Sequence, residues 1–227
     1  MSFKQFIKAL NEKSTEGDLI KTIAYSIFTS ALTIAILYFL ILKNIESFIP
    51  KYGFNLFFIL LSYSLIIPAI KQVRSYKEFP CMSGMMVGMT LGMISSFLPG
   101  FYLASTNGMF VGGFFGSLLG MIIGGWNGKC CGIMGLMEGI MAGFMGGLMG
   151  AMTAFMLLND HLKIAAIIVF AVCSIIIISL NYMIFKESSH LERKEKETQL
   201  LTITLSFLLT IITAWVMIFG PRSEIFN

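Results

Sequence analysis

The chain has 227 residues, of which 56% are hydrophobic and only 12% charged, with a net charge of +4 and a mean hydropathy of +0.83. A soluble domain carries roughly 25% charged residues, so this composition excludes a water-soluble globular protein and makes lipid the solvent for most of the chain. No basic patch with interleaved aromatic residues occurs, and nucleic acid is not an expected partner.

The chain opens with a polar, mildly amphipathic segment, residues 1–21, which lacks the small-residue cleavage pattern of a signal peptide. We expect this segment to be a short cytoplasmic helix that lies either on the membrane surface or in the cytosol. Two apolar runs follow, Thr22–Leu42 and Tyr52–Ile70, and each is close to the roughly 20 residues that cross a hydrocarbon core as a helix. We interpret residues 22–78 as a two-helix scaffold.

The central block, residues 79–159, has a different composition and holds 14 of the 17 methionines and 19 of the 22 glycines. Phe79–Gly128 runs for 50 residues without a charge, which is long enough for two crossings. Cys130–Asn159 adds a third crossing whose single charged residue is Glu138. We therefore predict a Gly/Met-rich three-helix module here.

Pro99-Gly100 lies within the first crossing of this module. Because proline lacks the backbone N–H and clashes with the preceding turn, we expect a kink or a break at this point. The following stretch, Pro99–Asn107, would then form a short re-entrant segment or an outer loop.

Residues 160–227 return to ordinary Ile- and Leu-rich runs, Ile164–Phe185 and Thr198–Pro221, and form a two-helix C-terminal scaffold. The predicted fold is thus an all-α, polytopic bundle of about seven transmembrane helices in the cell membrane. Twelve Lys and Arg residues fall on one side of this topology and four on the other. The positive-inside rule then predicts an N-terminus inside the cell and a C-terminus outside.

Glycines in the central block recur at spacings of three and four residues. In lipid, small residues at such spacing let helix backbones approach closely, and this close packing compensates the cost of about 1 kcal/mol for each Gly relative to Ala in a helix. We predict glycine-zipper packing of the three central helices, within the chain or between copies in a homo-oligomer. The packing residues are Gly84, Gly88, Gly92, Gly108, Gly112, Gly116, Gly120, Gly124, Gly135, Gly139, Gly143 and Gly147.

Methionines of the last central helix share one arc of a helical wheel with Glu138 and two adjacent cysteines, while its glycines occupy the opposite arc. Thioether and thiolate ligands select soft ions, above all Cu(I). The candidate metal ligands are Cys81, Met85, Met89, Cys130, Cys131, Met134, Met137, Glu138, Met141 and Met145. Glu138 is the only acid inside a predicted span, which makes it a candidate functional residue.

Each of these features also has a structural interpretation. Methionine is flexible and fills irregular gaps beside glycine-packed interfaces. Glu138 can reach towards the interface and pair with Lys129. Cys173 lies in the middle of an Ile/Val-rich span, where inert packing is expected, and His161 and His190 are expected to be solvated loop residues. Cys81, Cys130 and Cys131 open spans at the cytoplasmic face, where thiols stay reduced and a disulfide is not expected.

Met85-x-x-x-Met89 and Met141-x-x-x-Met145, with GxxxG on a neighbouring helix, resemble the MxxxM and GxxxG helices of the high-affinity copper uptake transporters. In that family the methionine pair rings a pore that passes Cu(I), and the glycines pack adjacent helices. Cys130-Cys131 is similar to the vicinal cysteines of small mercury-uptake membrane proteins. The whole block also resembles uncharacterised prokaryotic Gly/Met-rich multi-pass membrane proteins of heavy-metal context.

Two functions remain open at this point. The first is binding or transport of a soft metal ion by the methionine and cysteine face, with Cu(I) as the ion and a cytoplasmic metal chaperone as a partner. The second is a glycine-zipper membrane scaffold or channel subunit with no metal role. No paired acids, nucleophile motif or phosphate loop occurs in the spans, so an enzyme is not expected.

Overall fold

A computed structural model describes residues 17–40, 48–76, 80–129, 132–187 and 199–221. These residues form seven α-helices, which confirms the predicted all-α fold. In chain order they are α1 (Gly17–Leu40), α2 (Phe48–Arg74), α3 (Cys81–Asn107), α4 (Met109–Gly128), α5 (Gly132–Met156), α6 (Leu162–Glu187) and α7 (Gln199–Phe219).

Six of these helices, α2 to α7, are long and apolar enough to cross a membrane. The apolar part of α1 that the structure describes is shorter, Lys21–Leu37. The protein is therefore a multi-pass membrane protein. Its orientation and the membrane in which it lies stay predictions from the Lys and Arg distribution, and residues 1–16 of the predicted surface segment lie outside the described part.

The central helices α3, α4 and α5 pack directly on one another. At one end Gly88 of α3 faces both Gly128 of α4 and Gly135 of α5. At the other end Gly100 of α3 faces both Gly112 of α4 and Gly147 of α5. These two levels show that α3 and α5 run parallel, with α4 antiparallel to both.

Backbone rather than side chains fills the space between these three helices. A Cβ atom added to Gly92 would lie 2.6 Å from the carbonyl oxygen of Gly139, and one added to Gly116 would lie 2.7 Å from that of Ser96. Gly112, Gly120, Gly124, Gly143 and Gly147 meet backbone or the side chains of small residues on neighbouring helices in the same way, and Gly84 is also buried. A glycine zipper also implies that the glycines drive the association of these helices, and this stays a prediction.

The expected break at Pro99 is wrong, because α3 continues through this residue to Asn107, whereas the alternative of a kink stays a prediction. Pro99 and the residues that follow it to Asn107 are buried, so this stretch is a helical part of the core and is neither a loop nor a re-entrant segment. Proline removes one helical hydrogen bond, but packing on both sides holds the helix. The chain instead breaks at Gly108, whose φ of 111° favours glycine, so this residue makes the turn between α3 and α4.

The other four helices contact this module mainly through α3. Helix α2 contacts α1, α3, α6 and α7, and α1 also packs against α7. Large side chains fill the α2–α3 contact, with Tyr63 and Tyr102 fully buried. At the end of α2 the guanidinium of Arg74 lies 4.3 Å above the ring of Trp126 on α4, a cation–π contact that joins the outer helices to the module.

Candidate functional site

One face of α5 is made almost entirely of exposed methionine side chains. We call this set the thioether face. Its members on α5 are Met134, Met137, Met141, Met145, Met149, Met152 and Met156, with exposed fractions between 46% and 68%. The opposite side of the same helix is buried and consists of Gly and Ala. The helix therefore separates a backbone-packing side from a sulfur side, along the division that the helical wheel predicts.

Helix α3 carries further exposed methionines at one end of the module. Met82, Met86 and Met89 are exposed there, and Met85 is partly exposed. Because α3 and α5 are parallel neighbours, their first turns lie at the same end of the bundle. The MxxxM pairs of both helices are thus on the outside of the module, and no pair lies between the three helices.

Glu138 lies within the thioether face and is partly exposed. Within the part of the chain that the structure describes, its carboxylate makes no hydrogen bond or ion pair. The alternative pairing with Lys129 is therefore not formed there, although Lys129 is exposed at the end of α4. A carboxylate in a span without a partner is costly, so this residue is the strongest single indication of a ligand at this face.

The cysteine part of the predicted site is only partly covered by the structure. Cys130 and Cys131 lie outside the described residues, and of Cys81 the structure gives only its place as the first residue of α3. The parallel arrangement of α3 and α5 places their first residues, Cys81 and Gly132, at the same end of the bundle. Cys173 is a free, buried thiol in α6, as expected of packing.

Among the residues that the structure describes, Glu138 is the only carboxylate or histidine on this surface. Across the described ranges no group of three or more His, Cys, Asp and Glu residues is placed to hold a metal ion. His161 is 82% exposed beside Asp160 in the loop before α6, with 3.9 Å between Nε2 and Oδ1, in keeping with a solvated histidine. His190 lies outside the described residues. Any metal at the thioether face would be held by methionine sulfur together with Glu138.

The sequence analysis missed a second polar feature, between α1 and α7. Eight buried hydroxyl residues lie on these two helices, which meet at Ser30 and Ser206, and we call them the hydroxyl column. They are Thr22, Ser26, Ser30 and Thr33 on α1, and Thr202, Ser206, Thr210 and Thr213 on α7. Both rows have the same spacing of four, four and three residues. That spacing is visible in the sequence, but Ser and Thr are common in membrane helices, and only the packing shows that the two rows meet at Ser30 and Ser206.

Comparison with known proteins adds no assignment. The chain matches no known family model, and neither a curated protein nor a solved structure is significantly similar to it.

Proposed function

We propose that this integral membrane protein binds a soft monovalent metal ion of the Cu(I) class at the thioether face and passes the ion along it. The observation that carries the proposal is the position of the methionines on the outside of the module. If they filled gaps beside glycines, they would lie between the helices, where Gly, Ala and Ser are found instead.

The other outward faces of the same protein provide an internal comparison. Helix α6 exposes Ile and Val side chains, and α4 exposes mainly Phe, Leu and Ile, as expected of surfaces that contact lipid. Contact with lipid alone therefore gives no reason to use seven methionines on α5. Their concentration on one helix favours a role for the sulfur atoms.

The chemistry of this face fits a soft cation. Thioether sulfur is a polarisable ligand that selects Cu(I) among common metal ions. Residues three and four apart on a helix have Cβ atoms about 5–6 Å apart, so two neighbouring methionines can reach one ion. The carboxylate of Glu138 adds a negative charge that offsets the charge of a monovalent cation in a medium of low dielectric.

The length of the face also suits movement of an ion. From Met134 to Met156 the row extends about 33 Å along the helix axis, which matches a hydrocarbon core of about 30 Å. A cation that exchanges between neighbouring thioethers would find successive sites over the whole thickness of the membrane.

Metal stoichiometry on the purified protein tests this proposal. Full-length protein in lipid nanodiscs is titrated with Ag(I), a redox-stable substitute for Cu(I). The number of bound metal ions per protein is measured by elemental mass spectrometry. The triple variant Met137→Leu/Met141→Leu/Met145→Leu should bind less Ag(I) than the wild type. Met183→Leu, on α6 and away from the thioether face, is the matched control and should bind as much as the wild type.

A scaffold or channel subunit without a metal role is the second candidate. It is favoured by the glycine contacts, which join α3, α4 and α5 into a tightly packed unit. Equal Ag(I) binding by the wild type and the triple variant would exclude the metal proposal and leave the scaffold.

A further inference from the structure

A surface cavity lies on α1, near the end at which this helix begins. Its volume is about 430 Å³, and the described residues that line it are Lys21, Ala24, Tyr25 and Phe28. These residues are three or four positions apart, so they share one face of the helix. The side chains of Tyr25 and Phe28 are 48% and 66% exposed, and the cavity is therefore open to the surroundings of the bundle.

The wall of this cavity changes from charged to apolar along the helix axis. Lys21 is the last charged residue before the uncharged run Thr22–Leu42, so its ammonium group belongs at the level of the lipid headgroups. Tyr25 and Phe28 lie about 6 Å and about 10 Å further along the axis, towards the hydrocarbon core. The cavity thus presents a positive charge at the headgroup level and two aromatic rings below it.

A second ammonium group lies at the same turn of α1. Lys71 of α2 donates a hydrogen bond to Thr22, with 2.9 Å between Nζ and Oγ1, and Thr22 directly follows Lys21 in the chain. Two lysines from different helices are therefore brought to the beginning of the apolar run. An anion bound beside them lowers their mutual repulsion, and this effect is larger near the membrane than in bulk water.

The charge of this whole end of the bundle favours an anion. The contacts of Gln72 with Asn181 and of Arg74 with Trp126 place the last turns of α2, α4 and α6 together. Within five residues of a helix end, the described helices carry here the basic residues Lys21, Lys71, Arg74, Lys129 and Lys186 and the acidic residues Asp18 and Glu187. The positive-inside rule predicts that this end is cytoplasmic, and the cytoplasmic leaflet holds the anionic lipids.

We propose that the cavity on α1 binds an anionic phospholipid, with the headgroup phosphate at Lys21 and Lys71 and an acyl chain along Tyr25 and Phe28. The combination of charge and aromatic wall selects an amphiphile, because a free phosphate ion would contact only the charged part. This inference does not rest on metal binding at the thioether face, which lies on other helices.

Lipid binding to the detergent-solubilised, full-length protein tests the proposal. The protein is titrated with dioleoyl phosphatidylglycerol or with dioleoyl phosphatidylcholine, which has the same chains and no net charge, and native mass spectrometry gives the Kd of the first bound lipid. The wild type should bind phosphatidylglycerol at least about fivefold more tightly, since a basic residue near an anionic headgroup contributes about this factor. Equal affinity for the two lipids would overturn the proposal.

Substitutions of Lys21 separate its charge from its role in packing. Lys21→Gln should weaken binding of phosphatidylglycerol about fivefold, whereas Lys21→Arg, which keeps the charge, should bind it as the wild type does. Lys163→Gln is the matched control, because Lys163 is an exposed lysine at the opposite end of the bundle, and its affinity should not change. Unchanged affinity in Lys21→Gln, or an equal loss in Lys163→Gln, would overturn the proposal.

Two further measurements test the acyl-chain part of the site. Phe28→Ala should weaken the binding of both lipids, because they have the same chains. Inorganic phosphate at the concentration of the lipid should not displace phosphatidylglycerol from the wild type. Displacement by inorganic phosphate, or unchanged affinities in Phe28→Ala, would show that the cavity does not hold the chain and would overturn the assignment to a phospholipid.

Discussion

Gly124 of α4 and Gly139 of α5 lie against each other with no room for a side chain on either residue. A Cβ atom on Gly124 would overlap the carbonyl oxygen of Gly139, and one on Gly139 would overlap that of Gly124. Gly92 of α3 meets the same junction, since its Cα would lie 2.8 Å from a Cβ on Gly124. Three helix backbones therefore meet at one level of the module.

Replacing Gly139 with alanine should destabilise the protein. The new methyl group would overlap backbone atoms of α4, which cannot rotate away as a flexible side chain can, and overpacking typically costs about 1–3 kcal/mol. We expect a clear decrease in the thermal unfolding midpoint of Gly139→Ala in detergent.

The matched control is Gly113→Ala on α4. Its Cβ would meet the nearest atoms, on Ala151 and Leu148, at 3.4 Å, which is tight but does not involve backbone. Because alanine is favoured over glycine in a helix by about 1 kcal/mol, this variant should be as stable as the wild type or more stable. Equal unfolding midpoints for the two variants would contradict close packing by glycine as a source of stability.

Glu138→Gln should lower the affinity for metal without lowering the stability of the protein. A charged carboxylate in a membrane span costs about 2.5–3.5 kcal/mol on insertion scales, and Glu138 has no described partner that offsets this cost. The variant should therefore unfold at the same temperature as the wild type or higher, while its affinity for Ag(I) decreases. An unchanged affinity, measured by competition with a chelator, would remove Glu138 from the proposed metal site.

The hydrogen bond between Ser30 and Ser206 should show energetic coupling between α1 and α7. In a double-mutant cycle with Ser30→Ala and Ser206→Ala, we expect a coupling energy near the average of about 0.6 kcal/mol measured for such bonds in membrane proteins. The cycle is measured by equilibrium unfolding in mixed micelles. Strictly additive effects of the two substitutions would show that the two helices are held together by other contacts.

Several features of the fold could be predicted because they depend on short stretches of sequence. The apolar runs Tyr52–Ile70, Ile164–Phe185 and Thr198–Pro221 predicted α2, α6 and α7 to within a few residues, since length and hydropathy are local properties. Pro99 was misjudged because local propensity disfavours a helix there, while burial of Pro99 between neighbouring helices stabilises it. The turn fell instead at Gly108, where a positive φ is required.

At the candidate site, too, local sequence patterns could not predict how the helices pack on one another. The wheel separated the Met and Gly sides of α5 and predicted packing through the glycines, but it could not tell whether the Met side would lie between helices or on the outside. Periodicity also could not pair Ser30 with Ser206, because the two residues belong to helices at opposite ends of the chain.

By itself, then, the sequence determined a membrane-embedded all-α chain, because scarce charge and long apolar runs leave no other stable arrangement in lipid. The tertiary structure decided which helix surfaces are exposed and which are covered by neighbouring helices. Helices α3 and α4 cover the glycine side of α5, since only there can backbones come into contact, and the methionines are left outside. It also buried Ser30 of α1 against Ser206 of α7, because hydroxyl groups in lipid need hydrogen-bond partners.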